Sequence, residues 1–310
     1  MSTKTNSNSK TILDMLSLYF KSFPKLLAVN VIFSIPFALF AALLLLARAF
    51  SDIHPAIMFM MLLFSYPFYG CITLVTREIV SKQTSQINIL HVFMKSLKEN
   101  YLKFVIQGGL LCLVATASFF SALLYLQMAA TNPLFYALLV VSILISLYFM
   151  FVFFYLPVMT VSFDVKAKHL YKNSALMALF EVKNNVKAFL CILVLVLIFA
   201  TILINVTNYY LFLGLLLVFM VLILPSSMSF FANWCILDKM VALMTKDEKP
   251  SAAKEAAVAD NGPEEENTDI KQTLQAKGVS LEGDPDEFIF YGGKMIKRSV
   301  LIKQLEEENS

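Results

Sequence analysis

Six long apolar runs, alternating with short turns and longer basic loops, occupy most of the first 243 residues. They cover about residues 26–47, 55–76, 104–126, 134–160, 188–204 and 209–237. Each is near the length at which a helix crosses the hydrocarbon of a bilayer. The first carries no charge over 22 residues and has no small-residue cleavage site, so it reads as an uncleaved signal anchor. The last is 29 residues long and contains Pro225, so it is tilted, broken there, or extended beyond the lipid.

Ahead of the odd-numbered runs the pattern changes to helical periodicity. Ile12, Leu16, Tyr19 and Phe23 recur with Asp14, Ser17 and Lys21 between them, the pattern of an amphipathic helix on a membrane surface. Ile87, Leu90, Met94, Leu97 and Tyr101 share one helix face in the same way. The expected fold is therefore an all-α membrane protein with six transmembrane helices and interfacial amphipathic helices. After residue 243 the composition shifts to Ala, Glu, Asp, Lys and Pro, which predicts a solvated acidic linker over 244–287. FIFY-GG-KMIK then predicts a β-hairpin from Phe288 to Lys297, and Ser299 can cap a helix over 300–308. A lone hairpin is marginal in water, so it must pack on its own helix, on the membrane core or on a partner. The expected domains are a cytoplasmic N-terminus (1–24), the membrane domain (25–243), the linker (244–287) and the hairpin with its helix (288–310).

Charge fixes the orientation. The chain is 58% hydrophobic and 15% charged, where a soluble domain carries about 25% charged residues. Residues 1–25 hold four Lys, 77–103 five Lys or Arg, and 161–187 five Lys, against Arg48 alone in the opposite turns. By the positive-inside rule both termini are cytoplasmic, with the protein in the cell membrane and anionic lipid at its cytoplasmic face. A net charge of +3 is too small to suggest nucleic acid.

Prolines recur near the cytoplasmic ends of the even-numbered runs, at Pro67, Pro157 and Pro225. The segments leading into the odd-numbered runs also share an apolar stretch flanked by lysines. Together these predict three two-span repeats of parallel orientation. The prolines are candidate kinks, either flanking a cytoplasm-facing vestibule or serving ordinary packing.

Little in the chain suggests chemistry. His54, His91 and His169 form no ligand cluster, the four cysteines lie in apolar runs, and no phosphate loop or nucleophile motif occurs. No catalytic residue, metal or cofactor is expected. The spans hold mild polar groups, among them Gln107, Ser118, Ser121, Ser142, Ser146, Ser226, Ser227 and Asn233. Such groups bond across helices or line a pathway, and Gln107 and Asn233 are the pathway candidates. Gly108 and Gly109 permit close helix approach. The stretch 154–186 is first a topology determinant, and its Asp164, Lys166, Lys168, His169 and Lys172 form a candidate cytoplasmic docking surface.

That stretch also carries a resemblance. YLPVMTVSFDVKAKHLYKNSALMAL resembles a block of the YesL-like family of bacterial integral membrane proteins, in which an aromatic-rich span ends in Pro before an F-D loop and K-N-S/A-x-x-x-A-L. PFYGCITLVTREIVSKQTSQINILHVFMKSLKENYLKF resembles the other block of the same family, and the resemblance covers roughly residues 11–243. It implies a multi-span protein associated with carbohydrate uptake and polysaccharide use, with a membrane transporter complex as partner. Two readings follow: a non-catalytic accessory component, or a small-solute transporter or channel with a pathway between the repeats.

Overall fold

The computed structural model describes residues 11–50, 57, 59–82, 87–246, 285, 287–291 and 294–309. The linker expected over 244–287 lies almost wholly outside the described residues, as do His54, Pro55 and the Gly-Gly pair of the hairpin. Two compact units divide the chain: Met1–Val161 with Leu170–Leu237, and Ser162–His169 with Asp238–Ser310.

The first unit is helical throughout. Its elements are α1 (Ile12–Phe50), α2 (Met60–Lys82), α3 (Ile89–Ala129), α4 (Leu134–Ser162), α5 (Ala167–Phe180), α6 (Val182–Ile204), α7 (Tyr209–Leu217), a π-helical turn (Val218–Ile223) and α8 (Leu224–Lys246). The last residue of α4, the start of α5 and the end of α8 fall in the second unit. Five helical stretches are long and apolar enough to cross a bilayer: α1, α3, α4, α6, and α7 through α8 as far as Met244. Their outer faces carry exposed Ile35, Leu39, Leu113, Val140, Leu197 and Leu213. Apolar surface of this extent is the lipid-facing surface of a multi-pass membrane protein.

The sixth expected span, α2, falls outside those five. It is the most enclosed helix, with nearly every residue from Ser65 to Val80 buried. A helix surrounded by protein can carry Ser65, Tyr66, Thr73, Thr76 and Arg77, and so is less apolar than its lipid-facing neighbours. Close packing against α3 explains Gly70 and Gly108. A Cβ at Gly70 would meet the Phe104 ring at 2.5 Å, and one at Gly108 would meet Tyr66 Cβ at 2.8 Å and Leu63 O at 2.9 Å.

The separate surface helices need correction. α1 begins with a reciprocal cap, Thr11 N to Asp14 Oδ2 at 2.9 Å and Asp14 N to Thr11 Oγ1 at 3.2 Å. It then runs unbroken for 39 residues through Pro24, so the amphipathic segment and the first run are one element. α3 likewise starts at an Asn88 cap and continues for 41 residues through both segments expected there. Only before the fifth run is the amphipathic segment distinct, as α5, with a break at Glu181. There Asn185 Nδ2 donates to Ala178 O at 2.9 Å, satisfying a carbonyl at the break.

The second unit holds β1 (Phe288–Tyr291) and β2 (Lys294–Lys297), paired antiparallel with Tyr291 opposite Lys294. Helix α9 (Arg298–Asn309) follows directly. The expected hairpin and helix are present, the helix starting one residue before Ser299.

Candidate functional site

Polar residues of the first unit concentrate on the faces that helices present to one another. Tyr19 Oη lies 2.8 Å from Ser227 Oγ, joining α1 to α8. Asn30, fully buried on α1, reaches the stretch where α8 begins. Pro225 has no N–H to donate, and Leu224 N–H reaches back five residues to Phe219 O in the π turn. Ser226 N–H, whose partner in an ideal helix is Leu222 O, donates to Asn30 Oδ1 at 3.1 Å. Asn30 Nδ2 donates to Leu222 O at 2.8 Å and to Ser226 Oγ at 2.7 Å. The side-chain amide thus stands between the donor and acceptor of a helical hydrogen bond.

A second cluster joins α2 to α8. Thr76 Oγ1 lies 2.7 Å from Ser229 Oγ, and Asn233 Nδ2 donates to Thr76 Oγ1 at 3.0 Å and to Ser229 O at 2.9 Å. Between α3 and α4, Gln107 Nε2 donates to Thr160 Oγ1 at 2.7 Å. Gln107 and Asn233, the pathway candidates, are buried in these interhelical contacts and border neither cavity described below. At the end of α2 the buried Arg77 directs Nη1 to Val161 O at 3.4 Å and lies 3.5 Å from Glu78.

Between α1, α2, α3, α4 and the start of α8 lies a chamber of about 470 Å³. Among the described residues its wall is mainly Phe, Met, Leu and Val with a few hydroxyls, and none of them is charged. Of the three prolines Pro225 borders it, whereas Pro67 and Pro157 sit inside α2 and α4. Ser65 and Tyr66 border it too, and their hydroxyl oxygens, themselves enclosed, have no hydrogen-bond partner among the described residues. A smaller cavity of about 260 Å³ between α3 and α4 shares Val114, Ser118 and Ser146 with the chamber. Its wall includes Ser121 and Ser142, so all four serines of these two runs face cavities. Within YFMFVFFY of α4, Phe153 and Phe154 border the chamber, and residues 151–155 are all buried.

In the second unit the hairpin packs on the loop after α4. Phe163 forms a parallel bridge with Met295, and Asp164 N donates to Met295 O at 3.0 Å. The rings of Phe163 and Phe288 meet edge to face at 5.8 Å, and Lys297 Nζ lies 5.7 Å over the Phe288 ring. Arg298 Nη2 bonds Glu287 Oε2 at 2.7 Å, closing the base of the hairpin. Asp164 is half-buried here, while Lys166, Lys168 and His169 are exposed on the same unit. Lys172 is exposed on α5, in the first unit. The sequence pattern does not single out Asn30, within the first run, or Asn185, just before the fifth, although each is an amide that meets a helix break. Among the described residues no cluster of His, Cys, Asp or Glu could hold a metal ion. No family model, curated protein or solved structure matches this chain.

Proposed function

We propose that this protein is a six-span, non-catalytic accessory component of the cell membrane, with both termini cytoplasmic, that presents its second unit to an acidic partner. The observation that carries this reading is the pairing of Met295 with Phe163 and Asp164. A loop that only signalled orientation would need its lysines and nothing more. This one is paired to a strand more than a hundred residues away, which supports a fixed surface around Lys166, Lys168 and His169. Carbohydrate uptake or use, with a membrane transporter complex as the partner, is the setting that the YesL-like resemblance implies. The three two-span repeats belong to the same proposal.

Co-purification in mild detergent tests it. Lys166→Glu with Lys168→Glu is expected to lose transporter components that the wild type retains, with membrane insertion unchanged. Equal capture by both, or capture of no transporter component by the wild type, rejects the docking role. A second reading, a solute pathway, has the chamber in its favour. The apolar wall suits a lipophilic solute rather than a sugar.

A further inference from the structure

Helix α6 and the helical stretch that returns after it meet through two side-chain pairs. Phe199 of α6 stacks on Phe219 of the π turn, with ring centroids 3.9 Å apart. Closer to the start of α6, the thiols of Cys191 and Cys235 are hydrogen-bonded to each other. The turn after α6, the whole of α7 and the π turn separate these two cysteines in sequence, so it is the fold that brings them together. Both are free thiols.

Their surroundings differ from those of a packing cysteine. Cys71 is fully buried in α2 and donates to Pro67 O at 3.2 Å, which leaves it inert. Cys191 and Cys235 are each only half-buried. Exposed Lys187 precedes Cys191 by one helical turn, and exposed Asp238 and Lys239 follow Cys235 by one turn. Both thiols therefore lie at the charged, water-facing ends of their helices. The Lys187 ammonium interacts electrostatically with both sulfurs. A cation beside a partly exposed thiol is the setting of reactive cysteines, because the thiolate is the attacking species. A second thiol in contact supplies the resolving partner that a redox cysteine needs.

We propose that Cys191 and Cys235 are a redox pair, which the disulfide of a small cellular thiol converts to an intramolecular disulfide tying α6 to α8. One cysteine attacks a sulfur of the small disulfide, whose S–S bond breaks as one small thiol leaves. The other cysteine attacks the mixed disulfide at the protein sulfur and releases the second small thiol. Each attacking thiol loses its proton through water to the departing small thiolate. The protein pair gives up two electrons, and the reagent takes them as two thiols. The new bond adds a covalent tie to the Phe199–Phe219 stack. It does not involve the docking surface, so Lys166→Glu with Lys168→Glu leaves it intact.

The test uses the full chain in phosphatidylcholine nanodiscs, treated with glutathione disulfide, quenched in acid, alkylated and mapped by mass spectrometry. The wild type is expected to yield one cross-linked peptide pair joining Cys191 to Cys235, reversed by dithiothreitol, with Cys71 still alkylated. With either Cys191→Ser or Cys235→Ser the cross-link is lost, and the remaining cysteine of the pair stops at the mixed disulfide with glutathione. The wild-type map alone decides the matter if a variant fails to fold. Cys191 and Cys235 both remaining alkylatable in excess glutathione disulfide, or glutathione persisting on either in place of the cross-link, overturns the proposal.

Discussion

Ser226 donates its backbone N–H to Asn30 Oδ1, and Asn30 Nδ2 returns a hydrogen bond to Ser226 Oγ at 2.7 Å. The same amide reaches Leu222 O, so one side chain of α1 completes the backbone of the π turn and α8 where Pro225 interrupts it. Asn30→Leu keeps the volume and removes both partners. It is expected to destabilise the bundle by about 1–3 kcal/mol, the cost of leaving buried backbone groups unmet. Thermal or denaturant melts of the purified protein in detergent check this. Ser226→Ala removes only the hydroxyl partner and should cost less, about 0.5–1.5 kcal/mol.

Two adjacent glycines give a sharper contrast. At Gly108 a methyl group would meet Leu63 O and Tyr66 Cβ below 3 Å, atoms fixed in the helix, whereas at Gly109 it would meet only Leu63 Cδ1 at 3.7 Å. Gly108→Ala is expected to cost about 1–3 kcal/mol through overpacking. Gly109→Ala should be neutral or slightly stabilising, since alanine is the better helix former. Parallel melts of the two variants decide whether α2 and α3 approach as closely as described.

How much of this was legible in the sequence depends on which solvent each face meets. Helical class, the hairpin and most turns follow from run lengths and the Gly-Gly pair. The buried faces do not. On α3 the apolar set Leu90, Met94 and Tyr101 is exposed, and the buried set is Phe93, Ser96, Asn100, Phe104 and Gln107. On α1, Ile12 is exposed, while Ser22 and Asn30 are buried. Periodicity rules built on water place polar residues outside. In lipid the polar side chains gain most by bonding to other helices. The continuity of α1 through Pro24 was hidden for a related reason: an internal proline weakens a helix locally without ending it when packing holds both sides. The chamber has no sequence signature, because it is defined by what five separated segments leave unfilled.

The hairpin should depend on Phe163, which is fully buried and meets Phe288 edge to face. Phe163→Ala removes this contact and weakens the bridge to Met295. The expected result is faster amide hydrogen exchange over residues 288–297 and easier proteolysis after Lys297, with exchange in α2 unchanged. A two-stranded hairpin has too little buried surface to persist alone. Unchanged exchange over 288–297 would show that the loop contributes nothing to its order.

Orientation can be read from two exposed positions, Thr131 between α3 and α4, and Ser299 at the start of α9. In a background with the four native cysteines replaced, each is changed to Cys and labelled in intact cells with a membrane-impermeant maleimide. If α2 crosses the bilayer along with the five more apolar stretches and the N-terminus is cytoplasmic, Thr131→Cys is labelled from outside. Ser299→Cys is then labelled only after permeabilisation. If α2 stays on one side, every later segment inverts and the labelling pattern reverses. That inversion would place Lys95, Lys98, Lys166, Lys168 and Lys172 outside the cell, against the positive-inside rule. The charge distribution therefore predicts that the enclosed helix α2 crosses the membrane among its neighbours.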